Sequence, residues 1–143
     1  MTDWIYCGEP YINDNPDIFG FVYLITNTRN GKKYIGRKYL TQAGYKQVKG
    51  KKKKIRKESD WKSYYGSSPA IKLDLDEFGK DSFTREIIRL CRSRGECSYY
   101  ESKEIFLRDA LLDENFYNSW VSCRIQASHL KILAEEYNSE PQT

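Results

Sequence analysis

The chain has 143 residues, a formal net charge of +4, and 39% hydrophobic and 15% aromatic residues. This composition is typical of one folded globular domain and argues against a disordered protein. No apolar run reaches the ~18 residues that span a bilayer, and the first residues lack the basic and apolar stretches of a secretory signal, so we expect a cytoplasmic protein without a membrane partner.

The predicted elements begin with an acidic N-terminal arm and a β-hairpin. Residues 1–18 are rich in turn-forming residues, which favours an extended arm packed on the core. Residues 21–26 and 33–36 are aromatic and β-branched, as strands prefer. Asn30-Gly31 between them tolerates the positive φ angles of a tight primed turn. The sequence therefore predicts a hairpin over residues 20–38, and its two strands each present one tyrosine, Tyr23 and Tyr34.

Positive charge is concentrated directly after this hairpin. Residues 29–62 hold fourteen Lys or Arg and two acids, whereas the segments on either side are net acidic. The run over 49–57 is too dense in like charge to fold on itself, so we predict a solvated basic loop over 41–59. Such a loop can neutralise nucleic-acid phosphates; the alternatives are a solubilising role and, because no amphipathic apolar face accompanies the lysines, less plausibly an anionic membrane. The predicted nucleic-acid contacts are Lys38, Lys49, Lys51, Lys52, Lys53, Lys54, Arg56 and Lys57.

The rest of the chain alternates helices and strands. We see no internal repeat and no second domain, and we assign residues 19–120 to one domain and 121–143 to a C-terminal helix and tail. We expect an α/β (α+β) fold in which helices flank a small mixed or antiparallel sheet of about three strands. The predicted elements are a helix over 68–78, capped by Ser68 and ended by Gly79, a strand over 82–91, a helix over 98–112, a turn-rich segment over 113–118 and a helix over 124–137.

The cysteines do not suggest a metal site. Cys7, Cys91, Cys97 and Cys123 form no CxxC pair, and His129 is the only histidine. A structural zinc site usually needs four Cys or His ligands with at least one close pair. We therefore expect free thiols that are buried as small hydrophobic side chains.

The elements Gly20-Phe21-Val22-Tyr23 and Tyr34-Ile35-Gly36 resemble the GIY-YIG nuclease family, whose two named tyrosines fall on Tyr23 and Tyr34. The order of the later elements also fits, so the resemblance covers about residues 19 to 120. Small stand-alone members of this kind resemble phage-encoded nucleases, which implies the cytoplasm of a bacterial host. The alternative is a β-hairpin with two packed core tyrosines.

The resemblance also implies roles for individual residues. Phosphodiester hydrolysis needs a base, a cation for the phosphoryl oxygens, a metal ligand and stabilisation of the leaving oxygen. Tyr23 would be the general base or part of the water-activating network, although a phenol with a pKa near 10 is a poor base unless a cation lowers it. Tyr34 would position the phosphate or share that network. Glu101 on the second helix would bind Mg²⁺ or Mn²⁺, with Glu104 as the alternative on the same helix face.

The sequence departs from the family at its arginine and at the histidine that follows. Arg37, next to Gly36, is the favoured catalytic arginine, and Arg56, beyond the lysine run, is the alternative. The supporting candidates are Tyr64 or Tyr65 in place of the histidine, and Asn118, which resembles the asparagine of a Gly-Tyr-Asn element in some family members.

The resemblance implies a Mg²⁺-dependent DNA endonuclease that hydrolyses phosphodiester bonds. The absent histidine and the displaced arginine favour the alternative, a catalytically weak or inactive scaffold that acts as a DNA- or RNA-binding or inhibitory module. No separate DNA-reading domain is recognisable, so specificity would come from the basic loop, the N-terminal arm, a protein partner or a homo-oligomer.

Overall fold

A computed structural model describes residues 3–139 of the chain and has a mixed α+β fold, as the sequence predicts. A five-stranded sheet of order β2-β1-β7-β3-β4 carries helices on both faces, and a separate two-stranded hairpin is formed by β5 and β6. The strands are Trp4–Tyr6 (β1), Glu9–Pro10 (β2), Gly20–Asn27 (β3), Lys33–Tyr39 (β4), Thr41–Val48 (β5), Lys51–Glu58 (β6) and Phe83–Cys91 (β7). The helices are Pro69–Phe78 (α1), Arg94–Leu107 (α2) and Lys131–Ser139 (α3).

The central strand β3 is buried on both faces, which explains its unbroken apolar sequence. Successive side chains of a strand point to opposite faces. Phe21, Tyr23 and Ile25 therefore pack on the α1 side with Ile71, and Val22 and Leu24 pack on the α2 side. The three strands predicted from the sequence are β3, β4 and β7, and β3 pairs antiparallel with both of the others.

The N-terminal arm adds the two further strands. β1 pairs parallel with β7 and antiparallel with β2. Trp4 anchors the arm, because its side chain is 2% exposed and its Nε1 donates to the carbonyl of Trp61 at 2.6 Å. The arm therefore packs on the core as a sheet edge. Residues 1–2 of this arm, and 140–143 of the C-terminal tail, lie outside the described residues.

The segment predicted as a basic loop over 41–59 is a regular β-hairpin instead, so that prediction is wrong. All eight residues of β5 pair with all eight of β6, from Thr41 opposite Glu58 to Val48 opposite Lys51. The connection is a two-residue turn, Lys49-Gly50, in which both residues have positive φ (51° and 76°), as primed hairpin turns require. The lysines point into solvent from both faces, where water and salt screen their repulsion.

The tight turn predicted at Asn30-Gly31 is also different in the structure. Of these two residues only Gly31 has a positive φ, of 77°. The connection runs from Asn27 to Lys33 and is closed by the Gly31 amide, which donates to the carbonyl of Asn27 at 2.8 Å. It is therefore a longer loop and not a two-residue turn.

The helices begin at different residues from those predicted, except α1. α2 starts four residues early, because Ser93 caps it by accepting a hydrogen bond from the Glu96 amide at 3.2 Å. The predicted helix over 124–137 is a short 3₁₀ turn, Ala127–Leu130, followed by α3. None of the helices within residues 3–139 has the length and apolar composition needed to cross a bilayer.

The expected burial of the cysteines holds for two of the four. Cys91 and Cys97 are buried and pack on the α2 side of the sheet. Cys7 and Cys123 are exposed. All four are free thiols.

Candidate active site

The candidate site is built around β4, the edge strand of the five-stranded sheet. Strand alternation sends Tyr34 and Gly36 to the α1 face and Ile35 and Arg37 to the α2 face. Gly36 lies directly opposite Tyr23 on β3. The two elements of the sequence motif are therefore paired neighbours, and residues from both faces of the sheet meet at one edge.

Two side chains bind the outer edge of β4. The Ile35 amide donates to Oδ1 of Asn118 at 3.0 Å, and Nδ2 of Asn118 donates back to the Ile35 carbonyl at 2.8 Å. The side-chain amide of Asn118 thus pairs with the edge of β4 as the backbone of a neighbouring strand would. Two residues further along, the backbone amide of Arg37 donates to the carboxylate of Glu101 on α2. These contacts satisfy edge groups that would otherwise be open to pairing, and they fix Glu101 against β4.

Arg37 and Glu101 also form an ion pair. Nη1 of Arg37 lies 3.0 Å from Oε1 of Glu101, and the side chains are 34% and 15% exposed. Burial raises the pKa of Glu101 above its ordinary value, although the Arg37 charge and hydrogen bonds oppose this effect. Burial lowers the pKa of Arg37, but Glu101 and Tyr39 outweigh it and the pKa is raised. Glu101 is thus costly to keep ionised, so a further cation beside it would be stabilised.

This ion pair opens into a cavity of about 340 Å³. Tyr34, Arg37, Glu101 and Asn118 line it, together with Ser67 and Pro69 at the start of α1 and the extended segment 119–122. Tyr34 Oη lies 3.4 Å from Ser67 Oγ. Burial raises the pKa of Tyr34, with the Ser67 hydrogen bond opposing it. The cavity therefore combines a guanidinium, a carboxylate and a protonated phenol around one opening, and the guanidinium and the phenol can donate hydrogen bonds to a phosphate group.

Tyr23 lies beneath this cavity and is 1% exposed. Its ring centroid is 6.2 Å from that of Tyr34 and 6.1 Å from that of Tyr64. Burial, and then the neighbouring Tyr64 and Tyr34, raise the pKa of Tyr23 well above its ordinary value. Tyr23 is thus a neutral phenol in this state, and it can donate a proton or relay one through Tyr64, with which it shares a hydrogen bond.

The position of Tyr23 depends on the absence of a side chain at Gly36. A Cβ at Gly36 would lie 2.6 Å from Cζ of Tyr23 and 3.0 Å from Cε2 of Tyr34. We expect Gly36→Ala to destabilise the fold by about 1–3 kcal/mol, since the buried ring of Tyr23 has no space to move into. Gly44→Ala is the matched control: its Cβ meets only the flexible side chain of Lys57, so the unfolding free energy should hardly change. Equal losses in urea melts would contradict this account.

The structure separates the two tyrosines proposed in place of the histidine. Tyr64 touches Tyr23, and the ammonium of Lys38 lies 4.0 Å above its ring. Tyr65 is buried under the guanidinium of Arg85, 4.2 Å from its ring centroid, and does not line the cavity. Tyr64 does not line it either, but its ring contacts Tyr23, so Tyr64 is the better placed of the two for this role. Lys38, a predicted nucleic-acid contact, forms an ion pair with Asp60 at 2.6 Å.

The structure also separates the two candidate arginines and the two glutamates. Arg56 lies on the hairpin, where its Nη2 donates to the carbonyl of Thr41 at 2.8 Å, and it does not line the cavity. The catalytic role suggested for Arg56 therefore has no support from its position. Glu104 accepts a hydrogen bond from Nε of Arg108 at 2.9 Å and likewise lies outside the cavity lining. Arg37 and Glu101 are the pair that the fold brings together.

No sequence motif predicts the far wall of this cavity. Residues 119–122 have no regular secondary structure and carry no recognisable motif. They are held by a hydrogen bond from Oγ of Ser102 on α2 to the carbonyl of Ser122, at 3.3 Å. Ser67 has no motif either, although it lies in the Gly66-Ser67-Ser68 run before α1.

The comparisons with known proteins agree with the motif. The family described as "Putative endonuclease segE, GIY-YIG domain" matches residues 4–121. The "Putative endonuclease segE" of Enterobacteria phage T4 is 29% identical over 101 residues, which are 71% of this chain and 40% of that protein. No solved structure matches the chain significantly. Because the family match covers most of the chain, this protein belongs to the SegE-type GIY-YIG endonuclease family.

Proposed function

We propose that this protein is a Mg²⁺-dependent DNA endonuclease that acts in the cytoplasm of a bacterial host. The observation that carries the proposal is the Arg37–Glu101 pair, held at 3.0 Å on a strand edge beside the Tyr34 phenol and open to a cavity. The description of the T4 relative, "Putative endonuclease segE", supports the reaction class.

The residues at the site fit a divalent ion of one particular kind. The described residues, 3–139, contain no cluster of three His, Cys, Asp or Glu side chains that could enclose a metal. Mg²⁺ commonly keeps several waters and binds through one or two carboxylates and the substrate phosphate. Glu101 would supply the one carboxylate, since it lines the cavity beside Arg37. Burial raises the pKa of its carboxyl in spite of Arg37, so a further cation would stabilise the ionised form. When bound, Mg²⁺ or Mn²⁺ would supply Lewis-acid stabilisation of the phosphoryl oxygens.

The chain's own residues divide the remaining work. Arg37 would bind a non-bridging phosphate oxygen through the part of its guanidinium that Glu101 does not occupy. Tyr34 would donate its phenolic proton to the phosphate and keep it oriented. Tyr23, with Tyr64 beside it, would move the proton of the attacking water. Burial raises the pKa of Tyr23 in the free protein, so this role requires a cation bound nearby, which lowers the pKa of a phenol. Asn118 and Gly36 position this set and take no part in proton transfer.

The two arginines are expected to behave differently when replaced. Arg37→Ala should slow cleavage of bound DNA by roughly 10²–10³-fold, the usual effect of removing one donor to a transition-state oxyanion. Arg56→Ala should leave that rate unchanged and lower the salt slope of binding by about 0.9, as the loss of one phosphate contact does. Single-turnover cleavage and salt-dependent anisotropy measure the two effects. If Arg56→Ala also slowed the cleavage of bound DNA, Arg56 would have to be counted among the catalytic residues.

Plasmid nicking tests the proposal directly. Supercoiled plasmid should be converted to nicked or linear DNA with Mg²⁺ and should stay intact with EDTA, and the Arg37→Ala protein purified in parallel is the control for contaminating nucleases. Cleavage that persists in EDTA, or equally in the control, would contradict a Mg²⁺-dependent reaction at this site.

One observation favours the second candidate, a scaffold that binds DNA or RNA and cuts poorly. Arg37 is already neutralised by Glu101, and Tyr23 is buried as a neutral phenol. Such a protein would bind nucleic acid tightly and leave it uncut at every Mg²⁺ or Mn²⁺ concentration. Competition between duplex DNA and RNA in the same assay would identify its ligand.

A further inference from the structure

The hairpin of β5 and β6 projects from the domain as a free two-stranded ribbon. It forms a sheet of its own and pairs with no strand of the five-stranded sheet. Nearly all of its residues are exposed. At about 3.3 Å per residue its eight residue pairs extend roughly 26 Å. Such a projection buries little apolar area for its own stability, so an external function for it is reasonable.

The positive charge on this ribbon is not balanced by carboxylates within the described part of the chain. Residues 41–58 hold eight Lys or Arg and one acid. Within residues 3–139, none of the hairpin lysines forms an ion pair with a carboxylate. Lys46 and Lys53 lie directly opposite each other, and like charges in that position repel, although only weakly in water and salt. An anionic ligand beside the ribbon would relieve this repulsion, so the ribbon favours one.

Both faces of the ribbon are cationic. One face carries Lys46, Lys51, Lys53 and Lys57, and the other carries Lys52, Lys54 and Arg56, with Tyr45 and Gln47 among them. A ribbon that lay flat on an anionic surface would need only one such face. Charge on both faces fits a ligand that has phosphates on both sides of the ribbon.

We propose that this ribbon inserts into the major groove of duplex DNA. The inference rests on the proposed function and specifies its substrate as B-form duplex. The major groove is about 12 Å wide and admits a two-stranded ribbon, whereas the minor groove, about 6 Å wide, does not. The major groove of A-form RNA is too narrow for side chains to read. Single strands are bound chiefly by stacking on aromatic rings, and Tyr45 is the one aromatic residue of the ribbon.

The root of the ribbon connects it to the candidate active site. Leu40 alone separates β4, which carries Arg37, from β5. Leu40 is 2% exposed, and its carbonyl accepts a hydrogen bond at 2.9 Å from the amide of Ser59, the residue directly after the returning strand β6. A cavity lined by Arg37, Tyr39, Thr41 and Ser59 joins the two regions. A ribbon held in the groove would therefore bring the adjacent sugar–phosphate backbone toward Arg37 and Glu101.

The tip offers groups that can contact bases. Gln47 lies opposite Lys52 on one face, next to the Lys49-Gly50 turn. Glutamine can bond both adenine N6 and N7, and lysine can bond guanine O6 and N7, and all of these atoms lie in the major groove. This pair therefore gives the ribbon a means of sequence preference without a separate DNA-reading domain.

The test is dimethyl sulfate footprinting of a short duplex saturated with protein in EDTA, so that no cleavage is needed. The reagent methylates guanine N7 in the major groove and adenine N3 in the minor groove. We expect protection of guanine N7 and continued methylation of adenine N3. Protection of adenine N3 alone, or equal affinity for single-stranded DNA or duplex RNA, would overturn the proposal.

A charge-neutral variant separates the ribbon from a merely basic segment. Along a strand, every second backbone N–H donates a hydrogen bond to the partner strand. Of two adjacent residues one is therefore such a donor, so the double change Gln47→Pro and Val48→Pro removes one hydrogen bond between β5 and β6 and keeps every lysine. We expect duplex affinity to fall by roughly 10-fold or more, toward that for single strands, with guanine N7 protection lost. The control with Thr at both positions keeps the strands and should bind as the wild type does.

The outcomes distinguish this inference from the proposed function. A proline variant that keeps duplex preference and guanine N7 protection would refute insertion of the ribbon into the major groove, whatever the cleavage assay shows. If guanine N7 were protected but plasmid were never nicked, insertion of the ribbon would be supported and the endonuclease activity would be refuted. An unchanged melting temperature of the proline variant confirms that the five-stranded domain remains folded.

Discussion

Replacing Glu101 with Gln should slow Mg²⁺-dependent cleavage by roughly 10²–10⁴-fold, because metal stabilisation of the phosphoryl charge is worth several kcal/mol and each 1.4 kcal/mol is about tenfold in rate. The amide keeps the shape of the side chain and can still accept the hydrogen bonds from Arg37. The fold should therefore survive. Single-turnover cleavage, a melting curve and equilibrium DNA binding are the measurements.

Glu104→Gln is the matched control for this change. Glu104 lies three residues further along α2, and its carboxylate pairs with Arg108 at 2.9 Å. Its replacement removes one surface ion pair, worth a few tenths of a kcal/mol, and should leave the cleavage rate unchanged. If Glu104→Gln were the slower enzyme, the metal ligand would lie one turn away from the position that the ion pair with Arg37 indicates.

The unfolding free energy should depend on pH through Glu101, in a defined direction. Burial raises the pKa of Glu101 above its ordinary value in spite of Arg37. The folded protein therefore holds this proton more tightly than the unfolded chain does, so ionised Glu101 costs stability, and this cost is relieved as the pH falls through the raised pKa. Glu101→Gln should remove that part of the pH dependence of the unfolding free energy.

The central sheet was predictable from sequence because its signals are local. β3, β4 and β7 are aromatic and β-branched, and their apolar pattern requires a buried sheet whatever the rest of the chain does. α1 was predictable for the same reason, since Pro69 and Gly79 mark its ends. The capping residue Ser93 followed by Glu96 was an equally local signal, and it would have given the start of α2.

The basic hairpin was missed because charge density was given more weight than turn chemistry. Lys49-Gly50 can adopt a primed turn, and Tyr45, Val48 and Ile55 are good strand residues around it. Exposed lysines repel weakly in water and salt, so the repulsion did not prevent pairing. The local sequence therefore favoured a hairpin, and the repulsion between its lysines is too weak to prevent one.

The site could be predicted from sequence in part only. The resemblance to the family identified four candidate residues, Tyr23, Tyr34, Glu101 and Asn118. Their mutual contacts, however, depend on tertiary structure. Nothing local indicates that Asn118 would bind the edge of β4 at Ile35, eighty-three positions earlier. The choice between Arg37 and Arg56 likewise needed the structure, because Arg56 is carried away from the cavity by a hairpin that the sequence did not predict.

Tyr23→Phe tests the part of the proposal from which the assignment begins. The change deletes one hydroxyl and leaves the ring to pack against Tyr34 and Tyr64. If Tyr23 moves the proton of the attacking water, the folded variant should lose roughly 10²–10⁴-fold in rate, the usual effect of a positioned acid or base. DNA affinity should hardly change, since phosphate contacts and not a buried phenol carry it.

The pH profile distinguishes a phenol that acts from one that only packs. Burial raises the pKa of Tyr23 well above its ordinary value, so its phenolate fraction grows about tenfold per pH unit through the neutral range. The wild-type rate should therefore rise with pH, and Tyr23→Phe should flatten this rise. Loss of the hydroxyl from a residue that only packs would cost about 1 kcal/mol of stability, the value of one hydrogen bond, and would leave the slope intact. A well-folded Tyr23→Phe protein that cleaves at the wild-type rate, with the same pH slope, would refute the proton-transfer role assigned to this tyrosine.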